Sequence, residues 1–173
     1  MQFELKQATE VLSETPAVLN ALLRGKSAAW LQARKSAESF SALDVLGHLM
    51  LADRTDWIPR MQMILREQGP GTFEPFDRFA FQPLLAGKSV GILLDEFAVL
   101  RRESVKTLED LKLDERQLEL RGVHPEFGAV TLRNLLATWV VHDLGHIAQI
   151  VKTMANEYGD TVGAWRGYLT ILH

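Results

Sequence analysis

An all-α four-helix bundle is the fold this sequence predicts, on three observations. Apolar residues recur at spacings of three and four through four long segments. No segment of comparable length alternates apolar and polar residues with period two. Stretches bearing glycine and proline separate the four. The second and third connections are too long for a simple up-and-down chain, so long crossover loops with short accessory helices are expected. The 173 residues, 47% hydrophobic and 24% charged, suit one domain over 1–173, which hides roughly 70% of its unfolded surface.

The elements follow in order. Leu5, Ala8, Leu12, Leu19, Leu22 and Leu23 mark the first helix, and Gly25 stops it. Pro16 removes an N–H inside it, which predicts a kink or a split. Residues 26–40 read as a connector that docks Trp30 and Phe40 on the core. Ser41 opens the second helix: its hydroxyl accepts from the Asp44 N–H while the Asp44 carboxylate reaches back, a short capping box. Leu43, Leu46, Leu49, Met50, Trp57, Met61, Ile64 and Leu65 carry the pattern to about residue 66. Pro59 predicts a kink near Thr55, whose carbonyl it cannot serve.

Gln68–Gly71 ends that helix, and a loop bearing Phe73, Phe76, Phe79 and Phe81 follows. Those rings read as a loop folded onto the core, with a pocket wall or a dimer patch as the sharper alternatives. The third helix runs from about Ser89 to Leu108, with Val90, Leu93, Leu94, Phe97, Leu100 and Ser104 on one face. Residues 110–129 read as loop, with a short turn at Asp114–Leu118 before Gly122, Pro125 and Gly128. Thr131 caps the fourth helix and Gly159 closes it. Because this helix is apolar almost all round, it is expected at the buried centre of the bundle. A short last helix is expected over Val162–Ile171.

Composition removes several function classes. There is no cysteine, which excludes thiolate metal sites, iron–sulfur clusters and a thiol nucleophile carried by the protein. Nineteen Lys+Arg against 22 Asp+Glu give a net charge of −3, so nothing draws the chain to nucleic acid. The longest apolar stretch, Leu135–Val141 interrupted by Thr138, falls far short of a membrane span. Met1–Lys6 has neither the basic start nor the apolar block of a signal peptide. A cytoplasmic protein acting on a small molecule is the expectation.

Chemistry concentrates in the histidines: His48, His124, His142, His146 and His173. His142 and His146 stand four apart, which stacks both imidazoles on one helix face, a spacing that suits two nitrogens sharing a metal. His48 lies on the stripe of Asp44, Val45, Ala52 and Thr55 in the second helix. If the second and fourth helices pack side by side, the three converge in the core. From spacing alone, a metal site and a set of hydrogen-bonded core histidines both stay open. A metalloprotease His-Glu-x-x-His helix fits poorly, because Asp143 stands where the glutamate would be; Asp143 reads as a solvated or supporting carboxylate. Trp139 and Gln149 fall on the ligand face of the helix. Arg101 and Arg102 could hold an anionic substrate, yet paired helical arginines are usually solvated. His124 reads as a turn residue and His173 as a frayed end. No catalytic side chain beyond the ligands is singled out.

Ser41–Leu49 resembles the second-helix signature of the DinB-like superfamily, and Leu120–Leu132 running into Val141–Ile150 resembles its fourth-helix signature. The similarity covers nearly the whole chain in order. It implies a divalent metal (Zn, Ni, Fe or Mn) held inside a four-helix bundle by His48, His142 and His146. It implies kinship with transferases that use bacillithiol or another low-molecular-weight thiol, and a homodimer. Three nitrogens leave a coordination position open, and a chain without cysteine must take any thiol from outside as cosubstrate. The leading expectation is a metal-dependent S-transferase; a metal-dependent hydrolase and a non-enzymatic metal-binding protein are the alternatives.

Overall fold

Four long helical segments make the bundle in the computed structural model, which describes residues 3–66 and 71–173. They are α1 (Leu5–Leu23), α3 (Ala42–Thr55) continued by α4 (Trp57–Arg66), α6 (Val90–Asp110) and α8 (Leu132–Asn156). Short helices α2 (Ala28–Gln32), α5 (Gln82–Leu85) and α7 (Glu115–Leu118) sit in the connections. Two 3-10 turns, Gly163–Tyr168 and Thr170–Leu172, stand where one short helix was expected. α1 packs against α6 and α8, and α3 packs against the same two. Each long segment thus touches two others around a shared core.

The two prolines act differently. Pro59 ends α3 at Thr55, and a single residue, Asp56, separates it from α4. The break is therefore sharper than a kink and falls where the lost Thr55 partner places it. Pro16, by contrast, leaves α1 unbroken. The carbonyl it frees, that of Leu12, accepts from Arg101 Nη1 at 3.2 Å. A side chain from α6 supplies the hydrogen bond that proline cannot. The capping boxes at Ser41/Asp44 and Thr131/Asn134 start α3 and α8. The end placed at Gln68–Gly71 falls largely on 67–70, outside the described residues.

Two expectations need correction. Residues 121–131 are a β-hairpin rather than a loop: β1 (Arg121–His124) pairs antiparallel with β2 (Gly128–Thr131), His124 facing Gly128. Three residues connect the strands, and Gly128, which closes the turn, takes φ +72°, a left-handed conformation that favours glycine. Nor is α8 buried all round. Val141 is 68% exposed and Leu144 49%, and the wholly buried residue between them is Asp143.

The core has two apolar clusters. One gathers Leu12, Trp57, Phe73, Leu132 and Trp139; the other gathers Leu19, Leu46, Leu49, Leu93 and Phe97. Arg101 lies between them, its guanidinium 5.0 Å from the Phe97 ring and 5.2 Å from the Trp139 ring. It is 1% exposed. The guanidinium makes a two-point pair with Asp53 on α3 (Nε–Oδ2 2.7 Å, Nη2–Oδ1 2.9 Å). It also donates to Asp143 on α8, which accepts from Thr15 Oγ1 of α1 at 2.7 Å. One buried side chain therefore ties α1, α3 and α8 to α6. Burial opposes its charge, but Asp53 and Asp143 outweigh burial and hold it protonated.

Candidate metal centre

α3 and α8 bring His48, His142 and His146 together. His142 Nε2 stands 3.1 Å from His48 Nε2 and 3.1 Å from His146 Nε2, so the three could hold one metal ion. Two imidazole nitrogens on a tetrahedral ion at about 2.0–2.1 Å stand about 3.3 Å apart, close to the observed spacing. Hydrogen bonding on the far sides of the rings explains which atoms face inward. His146 Nδ1 donates to Gln149 Oε1 at 2.8 Å, which leaves the His146 Nε2 lone pair free. His48 Nδ1 lies 3.5 Å from the Arg78 carbonyl, a weak bond of the same sense. Inward-facing lone pairs this close repel unless a proton or a cation lies among them. The donor set fits a divalent ion.

Electrostatics agree. Burial and the neighbouring rings pull His48 and His146 down to about 4, so both are neutral and ready to ligate at pH 7. Behind His142 stands the buried carboxylate of Asp143, Oδ1 3.9 Å from Nδ1. That is too long for a hydrogen bond, and His142 Nδ1 is buried without a partner. Burial pushes the Asp143 carboxyl up, but the His142 ring, Arg101 and Thr15 outweigh it and hold the carboxyl below its usual range.

The other candidates sort as follows. Trp139 is not at the metal face: it is fully buried and stacks on Trp57, centroids 5.8 Å apart at 12°. Asp143 is buried rather than solvated, its carboxylate taken up by Arg101 and Thr15. Arg101 is the structural tie described above rather than a substrate anchor, whereas Arg102 is exposed. His124 lies in β1, where Nδ1 accepts from the Glu126 and Phe127 N–H groups (3.2 and 3.3 Å); it finishes the hairpin turn. His173 Nε2 lies 3.2 Å from the Arg166 carbonyl, and neither residue joins the triad.

Two cavities meet at the triad. The polar one, of about 460 Å³, is walled by Glu38, Ser39, Arg78 and Gln149 beside all three histidines. The other, of about 270 Å³, is mostly apolar and touches the triad only through His48 and His142. Its aromatic wall comes from the phenylalanine loop and the hairpin. Phe73 is fully buried, Phe76 meets the His48 ring edge-on at 5.5 Å, and Phe81 is buried against Phe40. Only Phe79 of the four is largely exposed. Gly47 lets the Phe81 ring pack close against α3, since a Cβ there would come within 2.8 Å of it.

Residues 12–150 match the family model of the DinB superfamily. No curated protein matches the chain. Among solved structures the chain is similar to YfiT from Bacillus subtilis, described as a probable metal-dependent hydrolase with an unusual four-helix bundle topology. The identity is 24%, over 88% of this chain and 87% of that one, with a TM-score of 0.74. It is also similar to TT2238, described as a four-helix bundle protein, at 22% identity over 85% of this chain and 98% of that one, TM-score 0.56. At these identities the likeness concerns the fold.

Proposed function

Because the chain belongs to the DinB superfamily and three of its imidazoles converge, we propose that it is a metal-dependent S-transferase acting with a low-molecular-weight thiol. The observation that carries the reading is the mutual approach of three imidazoles with, among the described residues, no carboxylate or fourth imidazole in the group. His48, His142 and His146 would hold a divalent ion, whose Lewis acidity would favour the thiolate form of a thiol bound beside them. Gln149 and the Arg78 carbonyl hold the His146 and His48 rings with their Nε2 atoms inward. Glu38 and Arg78 line the polar cavity with opposite charges, which suits a thiol bearing both amine and carboxylate. The separate apolar cavity supports a second reactant, as transfer needs and hydrolysis by water does not.

Hydrolysis is the second reading, favoured by the description of YfiT as a probable metal-dependent hydrolase. Titration of the Co²⁺-loaded protein with bacillithiol, glutathione and cysteine separates the two. An intense sulfur-to-cobalt charge-transfer band with at least one thiol is expected. Its absence with all three rejects the transferase. A visible spectrum that then titrates near neutral pH without thiol transfers the assignment to hydrolysis, and one indifferent to both leaves a non-enzymatic metal protein.

A further inference from the structure

We infer that the apolar cavity beside His48 and His142 is a binding site for a small, uncharged, conjugated molecule bearing a hydrogen-bond acceptor, which His124 recognises. The inference builds on the transferase reading, for which this molecule is the second reactant, but it stands on the cavity's own chemistry. Trp57, Phe73, Phe76 and Phe127 contribute aromatic surface, Val130 and Leu135 aliphatic surface. An apolar cavity of roughly 150 Å³ takes benzene, so about 270 Å³ accommodates a ring with a short substituent.

The charges of the wall are paired with each other. Its acid and base, Asp56 and Arg60, form an ion pair, Arg60 Nε 2.7 Å from Asp56 Oδ1, though Asp56 Oδ1 makes no well-formed hydrogen bond. The guanidinium also donates to the Glu74 carbonyl at 3.1 Å and lies over the Phe73 ring, 4.9 Å from its centroid. An anion or cation entering there would lose its hydration without finding a free countercharge.

His124 supplies the polar handle. Two hairpin N–H groups donate to its Nδ1, so the ring proton sits on Nε2, the nitrogen left over for a ligand. The ring is fixed by stacking on Phe127 (4.5 Å, 15°) and by an edge contact with Phe73 (6.4 Å). A half-buried donor of set tautomer in an aromatic wall selects an acceptor such as a conjugated carbonyl. His48 and His142 of the triad line the same cavity.

The test uses metal-free protein, so it reads the cavity independently of the ion and of any thiol. Acetophenone, ethylbenzene and benzoate are titrated by NMR, following the amides of 121–131. Acetophenone should bind most tightly, roughly fivefold better than ethylbenzene as one neutral hydrogen bond allows, with benzoate weakest. Thr138→Trp, which fills the cavity from the exposed side of α8, should abolish binding of both neutral ligands. Phe127→Ala, at an exposed site, should weaken both. His124→Phe should erase the preference for acetophenone, and His173→Ala, outside the cavity wall, should leave all affinities unchanged. Benzoate binding as tightly as acetophenone, shifts outside 121–131 and the cavity wall, or indifference to both Thr138→Trp and Phe127→Ala would overturn the inference. Binding as expected in protein whose Co²⁺ form ignores thiols would keep the site and reject the transferase alone.

Discussion

Each imidazole of the triad is set by what lies behind it. Gln149 is the clearest case: without its acceptor the His146 ring can turn and lose its tautomer. Gln149→Leu should weaken Zn²⁺ affinity roughly 10–100-fold with little change in melting temperature, measured by competition with a chromophoric chelator. The depressed pKa values of His48 and His146 give a pH signature. In the unfolded chain both titrate near 6.5, so the unfolded state takes up protons first as pH falls. The metal-free protein should lose stability from about pH 6.5 down to about 4, and His48→Gln/His146→Gln protein should show a flatter profile in urea melts. Arg101 has the opposite character. Truncating it strands Asp53 and Asp143 in the core, and Arg101→Leu should cost about 3–5 kcal/mol. In the sequence, the i, i+4 spacing of His142 and His146 converts directly into a shared face, whereas His48, on another helix, joins them only through the packing of the two helices and the family resemblance. Arg101 was not legible: its neighbour Arg102 is exposed, and nothing local marks which arginine meets carboxylates 48 and 42 residues away.

Among the elements, the four helical segments were legible from their periods and capping residues, since each signal lies within one stretch of chain. The hairpin was not. Its strands are four residues long, too short to display alternation, and two of its glycines suggested loop. Gly122 does something else: a Cβ there would come within 2.6 Å of the buried Phe73 ring. The backbone of 71–73 docks on β1, with Phe73 N–H donating to the Val123 carbonyl at 2.9 Å. Gly122→Ala should therefore displace Phe73 and destabilise the fold by about 1–3 kcal/mol. Gly145, whose added Cβ meets nothing, should accept alanine without loss; thermal melts of the two variants make the comparison. The all-round apolarity of α8 misled for a related reason. Composition cannot tell a central helix from one that covers one side of a core and leaves Val141 and Leu144 on the surface.

At the scale of the molecule, the fold places one residue of α3 and two of α8 against each other, while α1 and α6 hold those helices through Arg101 and Thr15. No helix of the described residues is long and apolar enough to cross a membrane. Phe73 and Phe81 are consumed within the chain while Phe79 stays exposed; we propose that the homodimer expected from the phenylalanine loop also uses the exposed Val141 and Leu144 of α8. Light scattering at tens of micromolar should give twice 19.5 kDa, and Val141→Glu with Leu144→Glu should halve it. A native mass of one chain would remove the dimer without touching the metal centre. The most direct test of that centre is elemental analysis of protein purified without a histidine tag, then reloaded with Zn²⁺ and desalted. One ion per chain is predicted, lost in His48→Ala, His142→Ala and His146→Ala and retained in His124→Ala and His173→Ala. A folded wild-type chain that keeps no ion, or one that loses it equally with His124→Ala, would contradict the assignment.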